Sequence, residues 1–212
     1  MLFTSYLANK LMDWFVRSQA FTPPGAGLSV GLLVSTHGPR NNSATYALNN
    51  TFSVKASDGK THLYKCTTPG STAAAQGTLY PGAEGEVITD GTAVFTEQTA
   101  AVRGSLATEA SYSGYARANT PASLANWAGT QGAGSTTVSS GTGVPRTSNN
   151  GVITIGTAPA GPTAYVWATA HFDAVSGGNM LMVHPLTDVK TINAGDPAPS
   201  FPAATLSFTL DS

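Results

Sequence analysis

TAYVWATAHFDAVSGGNMLMVHPL, residues 163–186, carries two apolar runs on either side of a glycine pair. In the first run Tyr165, Trp167, Thr169, His171 and Asp173 alternate with Ala164, Val166, Ala168, Ala170 and Phe172, the period of two that belongs to a β-strand. Gly177-Gly178 supplies a reversal, and Asn179–Leu186 returns as the partner strand. Strand parity puts Trp167 and His171 on one face, and a turn centred on the glycines sets His171 nearly opposite His184.

Working outward from this hairpin, the same alternation recurs. It is found at Val152–Ile155, Asp188–Ile192 and Thr205–Leu210, and upstream in GLSVGLLVST, where Leu28, Val30, Leu32 and Val34 form a half-buried strand. A second group covers Phe52–Ala56, His62–Cys66, Glu86–Ile88 and Thr92–Phe95, with Asp58-Gly59 and Asp90-Gly91 as tight turns. The connection through TTPGSTAAAQGTLYPGAEG has no period and reads as a surface loop. The Gly/Ser/Thr/Asn tract at 129–150 reads as a long mobile one. One helix opens the chain: Phe3, Leu7, Leu11, Trp14 and Phe15 make an apolar stripe, Thr4 or Ser5 caps it, and Pro23-Pro24-Gly25 ends it. The stripe is expected to pack on the protein's own sheet, with docking onto a neighbouring subunit as the alternative. The fold class is therefore all-β, an antiparallel sandwich or barrel-like core with one N-terminal amphipathic helix.

Composition narrows the function. Only 10% of the 212 residues are charged and the net charge is -1, so the chain has no basic run to neutralise a phosphate backbone, and nucleic acid is not an expected partner. The first helix is interrupted by Asn9, Lys10 and Asp13, which fits neither a signal peptide nor a membrane span; the product is expected to stay in the cell that makes it, with no membrane partner. Cys66, the single cysteine, reads as a small buried hydrophobe.

The residues that carry reactive chemistry are sparse. His171, Asp173 and His184 surround a turn, but zinc needs a fuller ligand set, so no metal is expected and the histidines read as ordinary polar residues of a hairpin. Asp173 and Asp196, beside glycine-bearing turns, are expected to cap backbone N–H groups. Gly27, Ser29 and Gly31 match G-x-S-x-G, yet strand periodicity runs straight through Ser29, which rules against a nucleophile elbow. Glu84, Glu86, Glu97 and Glu109 are the only glutamates and read as solvated side chains rather than a glycosidase pair. No catalytic residue and no cofactor are expected. Among the aromatics, Tyr80 in its glycine-rich loop is the best candidate for an exposed sugar-stacking face.

The order of these pieces resembles a family of bacteriophage virion proteins described as tail-fibre-like or minor structural proteins. The resemblance covers 1–36 and 105–212 and rests on Gly-Tyr-Ala-Arg at 114–117, Gly-Gly-Asn at 177–179, Ala-Gly-Asp at 194–196 and Phe-Pro-Ala at 201–203. Separately, LYKCTTPGSTAAAQGTLYPGAEGEVITDGTAVFTE is similar to a small β module of phage structural proteins, departing from it with Val94-Phe95 where a tryptophan is usual. Together they imply a small β domain at 45–101 inserted into a core built from 1–44 and 102–212. They also imply an oligomeric virion component that packs against other virion proteins, the major capsid protein or tail subunits. Capsid decoration or cementing is the favoured role, because heptads and fibrous repeats are absent. A tail-fibre or baseplate component binding host-surface carbohydrate is the alternative. The expected interaction surface is Phe3, Leu7, Leu11, Trp14 and Tyr80.

Overall fold

The computed structural model describes residues 1–76, 80–132, 134–140 and 145–209. Leu210, the end of the last expected strand, and parts of both expected loops (77–79, 133 and 141–144) lie outside the described residues. The elements run β1 (Leu2–Phe3), α1 (Ser5–Arg17), β2 (Ser29–Ser35), β3 (Thr45–Tyr46), β4 (Thr51–Lys55), β5 (Thr61–Thr68), β6 (Gly70–Ser71), β7 (Val87–Asp90) and β8 (Ala93–Glu97). They continue with α2 (Thr99–Arg103), β9 (Ala118–Asn119), β10 (Trp127–Ala128), β11 (Arg146–Asn149), β12 (Ile153–Thr154), β13 (Ala164–Phe172), β14 (Met180–Ile192), β15 (Ser200–Phe201) and β16 (Ser207–Thr209). The protein is mostly β and its paired strands are antiparallel; no sheet closes into a barrel among the described residues.

The central sheet has the order β1-β14-β13-β2-β9. Its strands β2 and β13 are buried along nearly their whole length, so the half-buried strand expected at 27–36 is covered on both faces. On one face Val30, Leu32 and Val166 meet Ile153 and Phe208 from the smaller sheets β12-β15 and β10-β11-β16, with Ile155 and Leu206 beside those strands. On the other, Leu33, Ala168, Ala170 and Phe172 meet Leu63 and Val102. Each large aliphatic buried this way contributes about 1.5–3 kcal/mol, which is why the sheet takes a cover on each side.

The strand parity inferred across residues 163–173 breaks at Trp167. Val166 pairs with Lys190 and Ala168 with Pro185, so residues 186–189 of β14 loop out opposite Trp167 alone. The irregularity leaves Val166 on one face and Ala168, two residues on, on the other. It also carries Thr187 to the neighbouring sheet, where the Thr61 hydroxyl donates to its carbonyl over 3.1 Å.

That neighbouring sheet, β4-β5-β8-β7, has a core of its own. Phe52, Tyr46, Tyr64, Tyr80 and Phe95 pack mostly edge to face, with ring centroids 4.9 to 6.1 Å apart. Gly91 turns β7 into β8 with φ +66°, and a side chain there would strike the Ser71 carbonyl, so the Asp-Gly turn is fixed twice over. Residues 37–44 belong to this sheet's packing: the His37 N–H donates to Thr51 O, and Arg40 donates to Ala73 O and to Asp90. Cys66 is fully buried as a small hydrophobe.

Candidate functional site

Thr4 sets the direction of α1. Its hydroxyl accepts from the Leu7 N–H and donates to Met180 O on β14, while its own N–H donates to Leu181 O. The N-cap is thereby stapled to the central sheet. At the far end Ser18 takes the left-handed conformation and the Gln19 N–H closes on Asp13 O. The Asp13–Arg17 pair, at 2.8 Å, is exposed and adds little.

The expected interaction residues separate along this axis. Phe3 is a strand residue paired with Met182 rather than part of the helix, Leu7 is buried and Leu11 half-buried. Past Leu11 the helix leaves the sheet, and Met12, Trp14, Phe15 and Val16 stand in solvent, Phe15 with 80% of its surface exposed. Only the first turn of the stripe packs on the protein's own sheet. The second half of the helix thus leaves four apolar side chains exposed among the described residues.

Tyr80 is not on that surface. It is 2% exposed, stacked edge-on against Tyr64 and Phe52, and its hydroxyl donates to Asp90 over 2.6 Å. Asp90 also accepts both arms of the Arg40 guanidinium, at 2.7 and 3.0 Å, and the Ala73 N–H. Burial works against ionising Asp90, but Arg40, Tyr80 and Ala73 hold it below the usual carboxylate range. An unpaired buried charge would be costly, so the tyrosine is drawn inward to complete the set. The glycine-rich sequence around it gave no sign of this partner.

The glutamates, expected to be solvated, are mostly engaged. Glu97 is buried and accepts from His62, from the Thr99 N–H and hydroxyl, and from the Gly85 N–H. Glu86 accepts from the Tyr64 hydroxyl, and Glu109 from Tyr115 and twice from Arg117 at 2.7 and 2.6 Å. Glu84 alone remains at the surface, in an exposed pair with Arg103. Arg117 further donates to the carbonyls of Ala174 and Gly177 and lies 3.4 Å over the Phe172 ring, so it clamps the 173–179 turn. An arginine isolated in a chain so poor in charge was the only advance sign of this role.

His62 and Glu97 border a cavity of about 380 Å3 between the two sheets, lined also by Leu63, Val102, Trp167 and Leu186. Glu97 raises the His62 pKa, burial opposes it, and Asp58 adds to the rise. Both ring nitrogens lie within hydrogen-bond distance of a carboxylate, at 3.0 and 3.1 Å, so neither is left free to face a substrate. The cluster is a cross-link between the 56–60 turn and the end of β8.

His171 and His184 are not ordinary hairpin polar residues. His171 pairs with Met182 and Thr169 with His184, so the rings are diagonal neighbours on one face, with centroids 5.3 Å apart. Both pack against Phe208, and their buried nitrogens, both of His171 and Nε2 of His184, have no hydrogen-bond partner among the described residues. Burial lowers His171 to about 3; burial, with His171 beside it, lowers His184 to about 2. Asp173 accepts from the Asn179 N–H and amide, and Asp196 from the Asn193 N–H, as turn caps. Among the described residues no three His, Cys, Asp or Glu side chains gather as a metal site. Ser29 is the buried first residue of β2, its hydroxyl turned back to Gly27 O. No helix among the described residues is long and apolar enough to cross a membrane.

The model of one protein family, described as Podophage GP4 fiber I protein gp80, matches residues 92–209. No curated protein matches the chain.

Proposed function

The chain belongs to the Podophage GP4 fiber I protein gp80 family, whose model covers more than half of its 212 residues, and from that premise we propose that this phage virion structural protein is a component of the tail fibres. The family match carries the proposal. The fibre reading is preferred to decoration of the capsid shell because the family is described by a fibre protein. The role is architectural, with no reaction of its own: the one histidine held between carboxylates has both nitrogens occupied, and the glutamates hold loops in place. The end of α1 is the attachment point to a neighbouring virion subunit, since Met12, Trp14, Phe15 and Val16 project from a helix whose other end is stapled to the sheet. Tyr80, being buried, offers no sugar-stacking face.

Purified virions test both parts. Quantitative mass spectrometry is expected to give a copy number that matches the tail, and a number matching the shell lattice overturns the fibre reading. A Trp14→Glu, Phe15→Glu chain that unfolds at the wild-type temperature is expected to be missing from assembled particles. Its normal incorporation would remove α1 as the attachment point.

A further inference from the structure

The β7 strand is the outer edge of its four-stranded sheet, bonded to β8 on one side only. Its ladder fixes which backbone groups point outward. Asp90 and Ala93 close the turn at Gly91, and the Glu97 N–H donates to Glu86 O while the Glu86 N–H turns back to Ala83 O, so Asp90 and Ile88 are the residues of β7 that exchange bonds with β8. The N–H and C=O groups of Val87 and Thr89 therefore face away from the sheet. Among the described residues they find no partner.

Other edges are guarded. The central sheet ends in strands of two residues, β1 and β9, and β4 is covered where Pro39 bridges Ser53. Among the described residues the β7 edge carries neither lysine nor proline and no bulge, and Val87 leaves 66% of its surface in solvent.

We infer that β7 is the seam of a two-fold contact with a second copy of this chain, the two strands pairing antiparallel about Ile88. The hydrogen-bonding pattern is its own complement in that register. Val87 faces Thr89 of the second copy and Thr89 faces its Val87, so all the outward donors and acceptors of both residues are matched. The two sheets become one continuous sheet. Side chains agree with the pairing: Val87 and Thr89 share the solvent face, while Ile88 packs inward against the aromatic core. Charge does not oppose it, because Glu86 and Asp90, which would otherwise meet across the seam, are turned inward to Tyr64 and to Arg40. The contact is independent of the fibre reading, and its failure would leave the family membership untouched.

Sedimentation of the full chain across concentration is the test. A reversible dimer is expected, with Val87→Lys and Thr89→Pro each raising its dissociation constant at least tenfold; proline at 89 removes an outward N–H and no bond to β8. Both variants should keep the wild-type urea midpoint. Should either unfold, the Val87→Cys, Thr89→Cys chain decides, since facing Cα atoms in such a pair lie about 5.5 Å apart, within disulfide reach. Cys66 is buried and should not compete. Oxidation is expected to give a covalent dimer. A chain that stays monomeric at every concentration and yields no cross-link overturns the inference. So does a dimer dissolved by Trp14→Glu, Phe15→Glu but indifferent to Val87→Lys.

Discussion

Between pH 7 and pH 5 the protein is expected to lose about 4 kcal/mol of stability through two side chains, His171 and His184. An unfolded histidine takes up its proton near pH 6.5. In the folded protein burial holds His171 to about 3 and His184 to about 2, so below pH 6.5 the unfolded chain binds protons that the folded chain refuses. Acid therefore favours unfolding, at about 1.4 kcal/mol per ring per pH unit, or about 2 kcal/mol per ring at pH 5. Set against the 5–15 kcal/mol or so typical of a folded domain, the loss is large. Asp90, Glu97 and Glu109 do not confuse this window. Their folded values are depressed, so their stabilisation is present above about pH 4 and is lost only as the pH falls through the lower folded values. Urea unfolding at pH 7 and pH 5 measures the effect. The His171→Phe, His184→Phe chain should be nearly level across that range, each single variant should lose about half of the dependence, and pH 7 stability should hold or rise because unpartnered ring nitrogens are removed. If the double variant weakens at pH 5 as much as the wild type does, the rings are not buried neutral and the account of this core is wrong.

His62 has the opposite sign: Glu97 and Asp58 raise its pKa against burial, so its stabilisation is complete below about pH 6.5 and fades as pH rises through the folded value. His62→Gln should flatten the alkaline side of the same urea series. Tyr80→Ala is expected to cost about 3–5 kcal/mol, as for any large aromatic removed from a core, while Tyr80→Phe, which loses only the bond to the Asp90 carboxylate, should cost about 1.5–3 kcal/mol. Equal unfolding midpoints for wild type and Tyr80→Ala would return the side chain to the surface. Arg117→Ala breaks a largely buried pair with Glu109 and frees the carbonyls of Ala174 and Gly177, at a cost of roughly 3 kcal/mol. Amide exchange should quicken first across 173–179, and unchanged protection there would show that the turn does not need its clamp.

The turns were legible because they are local: Asp58-Gly59 and Asp90-Gly91 mark the two reversals, and β4-β5 and β7-β8 form around them, although only the glycines take positive φ and Asp90 itself ends β7, leaving Gly91-Thr92 as the turn. Other parts were hidden by polarity. The tract at 129–150 reads as a mobile loop, yet it contains β11, and Asn149 lies buried, donating to the carbonyls of Gly151 and Pro202 and accepting from the Leu206 N–H. An asparagine whose side chain stands in for backbone has no periodicity to betray it. The short α2 was likewise missed; Glu97, from outside the helix, satisfies its first N–H, and five residues show no stripe.

What the sequence by itself determined is the β class, the N-terminal helix with a cap at Thr4 or Ser5, and the turns that pair neighbouring strands, because each depends on residues a few positions apart. Only the tertiary structure decided which faces are dry. Leu63 and Val102, from elements that pack across the central sheet, bury the second face of β2 and β13, and four residues of β14 looped out at Trp167 carry His171 to the side of Phe208. Arg40 and Asp90 draw Tyr80 inward, while the last turn of α1 finds nothing among the described residues to cover it. Whether an apolar or ionisable side chain meets water depends on what arrives from elsewhere in the chain, and no local pattern carries that information.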